Sequence, residues 1–142
     1  MKIYFGQIYI QVGINFPFNH LFQKFLGAEV TKLVNPSHKF IKRYAEDYNL
    51  IFRVSAKKEL VENEIKGPTA YKKEKDVEFS IFLPYTFITQ NSDPNRLALK
   101  YLFEGIYEVL GKYEINVEAL KFEQNRIIDT IMSSPEMFYT DE

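Results

Sequence analysis

Between Asp76 and Pro84 the chain reads DVEFSIFLP, in which Val77, Phe79, Ile81 and Leu83 alternate with Glu78 and Ser80. A period of two sends the four apolar side chains to one face of a strand and the polar ones to the other. Pro84 has no N–H to give to a ladder, so it ends that strand or marks an edge. A strand so one-sided needs an apolar layer to lie against, and the rest of the sequence must supply it.

Helical periodicity supplies it. Phe18, Leu21, Phe22, Phe25 and Leu26 fall at i, i+3, i+4, i+7 and i+8, which predicts a helix over about 17–26 with a phenylalanine-rich inner face. Pro17 suits its first position and Gly27 its left-handed end. Asn35-Pro36 opens a second helix to about residue 48, with Phe40, Ile41, Tyr44 and Tyr48 on one face. Asp93-Pro94 opens a third, about 94–112, whose stripe is Leu97, Tyr101, Leu102, Ile106, Val109 and Leu110, with Gly111 as its candidate end. Asn116 caps a fourth to about residue 132, with Leu120, Ile127, Ile128 and Ile131 inward.

Strand patterns fill the gaps. Residues 2–12 set Ile8, Ile10 and Val12 against Tyr9 and Gln11, while Ile3 and Phe5 are out of phase, which predicts a bulge near Gly6. Leu50, Phe52 and Val54 alternate in another strand, and Glu29 to Val34 is a short candidate. Residues 59–66 fit either state. Lys66-Gly67-Pro68 reads as a turn, followed by an exposed ribbon that enters the 77–84 strand. Residues 133–142 read as a tail from which Met137, Phe138 and Tyr139 can dock back. The expected architecture is a single α+β domain over 1–142, with a mainly antiparallel sheet of four or five strands and about four helices packed on it.

Chemistry is harder to find. The chain has no cysteine, which removes disulfides, thiolate nucleophiles and cysteine-bound zinc. Its two histidines, His20 and His38, form no H-x-x-x-H pair, and no G-x-S-x-G, G-x-G-x-x-G or calcium-loop pattern occurs. The pairs Glu62/Glu64, Glu104/Glu108 and Glu114/Glu118 read as solvated surface rather than an acid–base couple. No catalytic residue, metal site or cofactor is therefore expected. The opening MKIYFGQIYIQVG has neither a small-residue cleavage site nor the length of a membrane span, so a cytoplasmic location is expected.

Net charge is only −1, but it is unevenly distributed. Residues 1–58 hold nine Lys/Arg against three acids, and residues 101–142 hold three against nine. A pI near 6.2, with Lys72, Lys73 and Lys75 interleaved with Glu74 and Asp76, argues against direct nucleic-acid binding. The remaining class is a protein that works by holding another protein. Glu59, Glu62, Glu64, Glu74, Asp76 and Glu78 are the candidate contacts, with Tyr71 and Tyr85, and Tyr107 further along, as aromatic anchors.

A cysteine-free, Phe/Tyr-rich α+β chain that starts at MKIYFGQIYI, carries Glu-studded strands such as DVEFSIFLPY and lacks a catalytic set resembles the small immunity proteins of bacterial toxin–immunity systems. These include the immunity proteins of contact-dependent growth inhibition. The resemblance assigns no individual residue. It implies a cytoplasmic, non-enzymatic inhibitor of one cognate toxin, often a nuclease whose basic surface would meet the carboxylates. The alternative is an interaction or homodimeric module that self-associates through an exposed edge at 77–84.

Overall fold

The computed structural model describes residues 4–13, 16–34 and 47–140. The elements in chain order are β1 (Tyr4–Val12), α1 (His20–Val34), β2 (Asp47–Lys57), β3 (Glu64–Tyr71), β4 (Asp76–Pro84), α2 (Tyr85–Thr89), α3 (Pro94–Lys112), α4 (Glu118–Met132) and α5 (Pro135–Phe138). The four strands form one sheet in the order β1-β2-β4-β3. The class is α+β.

The sheet is mixed rather than mainly antiparallel. β1 pairs with β2 and β2 with β4 in parallel, and only β3 and β4 run antiparallel. The reason is connectivity. After β1 the chain returns along α1, so β2 starts beside the start of β1 and runs the same way. β4 then inserts between β2 and β3, which leaves β3 on the outside. Apolar periodicity carries no strand direction, so the sequence could not report it. The same insertion overturns the expected edge at 77–84: β4 is paired on both sides and cannot take a further strand.

The helical layer differs from expectation mainly around α1. Glu29 to Val34 is helix, not strand, and Gly27 lies buried within α1 rather than at its end. The helix starts at Asn19, whose Oδ1 accepts from the N–H groups of Leu21 (3.0 Å) and Phe22 (3.1 Å), two residues beyond Pro17. The predicted helix over 36–48 lies outside the described residues except at its end, where β2 has already begun at Asp47. α3 matches its pattern, with Asp93 Oδ1 accepting from the Arg96 N–H. The carboxyl-terminal segment docks as α5, burying Phe138.

The buried apolar positions of β1, β2 and β4 fall on one face. Ile8, Ile10, Leu50, Phe52, Val54, Val77, Phe79, Ile81 and Leu83 are in register across β1, β2 and β4, each at most 3% exposed. Against them pack Phe22, Leu26 and Val30 of α1, Leu102, Phe103 and Ile106 of α3, and Ile127, Ile128 and Ile131 of α4. The bulge in β1, expected near Gly6, is the register shift between Phe5 and Ile8, and it brings Phe5 into this core. The described residues thus form two layers, and no described helix covers the other face of the sheet.

Candidate functional site

The uncovered face can be laid out row by row from the strand register. One row runs Tyr9, Ile51, Glu78, Thr69; the next runs Gln11, Arg53, Ser80, Lys66; a third holds Ser55, Phe82 and Glu64. Its charged side chains are tied together. Arg53 Nε contacts Glu78 Oε1, and the Tyr71 hydroxyl donates to Glu78 Oε2 at 3.1 Å. Lys57 and Lys66 share one oxygen of Glu64, at 3.5 and 3.6 Å, and both ammonium groups stand over the Phe82 ring, 5.5 and 5.7 Å from its centroid. Asn49 donates to Asp76 at 3.0 Å.

Of the six candidate carboxylates, then, Glu64, Asp76 and Glu78 lie on the open face, each bound to a cation or an amide. Glu59 and Glu62 are exposed in the β2–β3 connection, and Glu74 is exposed in the β3–β4 turn. Glu64 pairs across from Phe82 and Tyr71 from Asp76, so Glu59 and Glu62 stand at one end of β3 and Glu74 at the other. Glu74 also shares its turn with Lys72, Lys73 and Lys75. The acids line a ribbon of alternating sign; they do not merge into one patch. Tyr71 is 45% exposed. Tyr85 stands apart from it, at the start of α2, lining a groove of about 420 Å³ with Phe16, Pro17, Ile88 and Pro94. Tyr107 belongs to the helical layer: its hydroxyl donates to Gln124 Oε1 at 2.5 Å, and burial pushes its pKa up to about 12.

Sequence reasoning missed how far the ribbon projects. Every residue from Lys66 to Lys75 is exposed, including Ala70, whose partner Val77 faces the core. No described helix therefore lies beneath this half of β3. The Lys66-Gly67-Pro68 stretch is not a turn but a bulge within the strand, a register shift between Lys66 and Thr69. Gly67 takes φ 125°, and a Cβ there would stand 2.8 Å from the Glu78 carbonyl oxygen, so only glycine fits. Pro68 has no N–H to give to a further strand, which blunts β3 against strand addition.

Also missed was a depression of about 770 Å³ on the open face, lined by Gln11, Gln23, Arg53, Ser55, Ser80 and Phe82 among others. Period-two alternation shows that these side chains leave the core; it does not show that four elements bring them to one place. His20 is exposed at the start of α1, and His38 lies outside the described residues. Among the described residues no three His, Cys, Asp or Glu side chains stand close enough to hold a metal ion, and no helix is long and apolar enough to cross a membrane. No known protein family, curated protein or solved structure matches the chain.

Proposed function

We propose that the chain is a toxin-neutralising immunity protein, a cytoplasmic non-enzymatic inhibitor that acts by docking on one cognate protein. The observation that carries this reading is the ribbon. Ten consecutive residues, Lys66 to Lys75, span the outer part of a strand and a tight turn, and every one of them is exposed. An ordered strand that buries so little of itself is well suited to burial against a partner. Tyr71 supplies an aromatic anchor, and the charges around it supply direction.

The partner is proposed to be a toxin of the nuclease type, with a basic surface that meets Glu59 and Glu62 at one end of β3. These two carboxylates are exposed, whereas Glu64 and Glu78 are already engaged by Lys57, Lys66 and Arg53. Long-range attraction between such surfaces raises the association rate and is screened beyond about 8–10 Å at physiological salt. The test is surface plasmon resonance against the toxin encoded beside this chain, together with a growth-protection assay. Reversing Glu59 and Glu62 to Lys should slow association and abolish protection while leaving the fold intact, and Tyr71→Ala should speed dissociation. If Lys72→Glu with Lys73→Glu weakens binding and the glutamate reversals do not, the partner surface is acidic and the nuclease reading fails.

A further inference from the structure

The depression on the open face is built from donors. Gln11, Arg53 and Ser80 stand side by side across β1, β2 and β4, and Ser55 follows on β2. Gln23 reaches in from α1; its Oε1 is already used by the Val12 N–H at 2.7 Å, which leaves the amide NH₂ as its free function. Among the described residues that line it there is no carboxylate. Glu78, beside Ser80 and Arg53 on the same face, is only 11% exposed in its side chain and is taken up by Arg53 Nε and the Tyr71 hydroxyl. That ion pair engages the guanidinium through Nε while the side chain as a whole stays 60% exposed. Its two terminal nitrogens carry no partner among the described residues. At the rim, Lys57 and Lys66 share the single carboxylate of Glu64 over the Phe82 ring. Among the described residues, these three cations against two carboxylates leave an excess of one positive charge, on a chain whose net charge is −1.

We infer that this depression is a binding site for a carboxylate, held bidentately by the Arg53 guanidinium and flanked by the amides of Gln11 and Gln23 and the hydroxyls of Ser55 and Ser80. A planar carboxylate matches the guanidinium fork, and one arginine tethered by a second carboxylate is pre-oriented to take it. The volume admits more than one such group, so the ligand is a small polycarboxylate or an acidic side chain presented by a protein. The inference does not depend on the toxin-neutralising reading, since it concerns the face over β1, β2 and β4 and not the projecting ribbon.

The test is a titration of the isotopically labelled protein with citrate and, separately, with a tetraglutamate peptide, at ionic strength held constant with sodium chloride and followed by amide chemical shifts. Saturable shifts centred on Gln11, Arg53 and Ser80 are expected. Arg53→Gln should weaken binding by about tenfold or more, the loss of a charge-assisted contact, and Ser80→Glu should block the site with a carboxylate of its own. Lys72→Gln with Lys73→Gln should change nothing. Tighter saturation by citrate identifies a free acid as the ligand, and tighter saturation by the peptide identifies a protein side chain. Shifts that do not saturate, that centre on the β3–β4 turn, or that persist undiminished in both Arg53→Gln and Ser80→Glu overturn the proposal. Circular dichroism of the two variants checks that each is folded.

Discussion

Two absent side chains set how closely the helices approach the sheet. A Cβ on Gly27 would stand 3.0 Å from the Ile8 carbonyl oxygen, and one on Gly105 would stand 2.9 Å from Cγ2 and 3.1 Å from Cδ1 of Ile81. At α1 the closeness is used for hydrogen bonding: Thr31 Oγ1 accepts from the Ile8 N–H at 3.0 Å and donates to the Gly27 carbonyl at 2.7 Å, fastening the bulged strand to the helix. At α3 it is used for packing, against a β-branched side chain that cannot easily turn away. In an ordinary helix Gly→Ala gains about 1 kcal/mol. Here overpacking, which costs about 1–3 kcal/mol, should win, so Gly105→Ala is expected to lower stability in urea denaturation. A rise in the midpoint would show that the layers have room to spare. Tyr107 offers a second test at this scale. Burial raises its pKa from 10.0 to about 12, so the folded chain keeps a proton that the unfolded chain has lost. This contribution is complete below about pH 10 and disappears as pH rises towards 12. Burial also raises the pKa of Tyr113, so tyrosinate absorbance should show a late-ionising component to which both tyrosines contribute, and Tyr107→Phe should reduce it.

At the scale of elements, the end of α3 shows what a sequence does and does not disclose. Gly111 looks like the stop, yet the helix continues to Lys112 and the left-handed position falls on Glu114, at φ 57°. The Ile115 N–H bonds the Leu110 carbonyl at 3.2 Å and the Glu114 N–H bonds that of Gly111 at 3.1 Å, a Schellman closure with a glutamate where glycine is usual. Glu114→Gly should therefore stabilise the protein by about 0.5–1 kcal/mol, read as a higher thermal midpoint with an unchanged fold. The body of α3 and the inner face of β4 were legible because their patterns are long and their partners lie in one direction. The 29–34 segment was not: read alone, it lacks the phenylalanines that reveal α1, and it is helical because Val30 and Val34 bury beside Leu26. Lys66-Gly67-Pro68 was misread for a related reason, since turn chemistry and bulge chemistry use the same residues. Of the candidate site, exposure of the acids was readable from alternation, but their lysine and arginine partners come from β2 and β3 and become visible only through the register.

Across the whole molecule, a helix of the basic first segment and a helix of the acidic last segment lie side by side. α4 packs beside α1, where Arg126 reaches Glu29 at 3.3 Å and also contacts Glu123, while Arg96 of α3 bridges to Asp129 at 3.1 Å. Exposed pairs of this kind contribute little to stability. A stronger tie lies between the chain's carboxyl-terminal segment and the start of α1. Asn19, besides capping α1, donates from Nδ2 to the carbonyls of Met137 (2.8 Å) and Tyr139 (3.1 Å), and its N–H donates to that of Phe138 (2.9 Å). The Thr140 N–H reaches the Pro17 carbonyl at 2.9 Å. Phe138 packs 5.2 Å from Phe25, and the Tyr139 ring meets Phe18 edge-on at 5.1 Å, with Phe18 stacked on Phe22 beneath. α5 thus closes the phenylalanine cluster against water, and its own four residues could not stay helical without that contact. Phe138→Ala should cost about 3–5 kcal/mol, as expected for a buried ring, and truncation after Ser133 should cost at least as much, because it also strips the Asn19 amide of its acceptors. Urea denaturation reads the loss, and amide exchange should quicken first at Leu21 and Phe22, where the same asparagine holds the helix start. Unchanged midpoints in both variants would mean that the segment lies on the core without closing it.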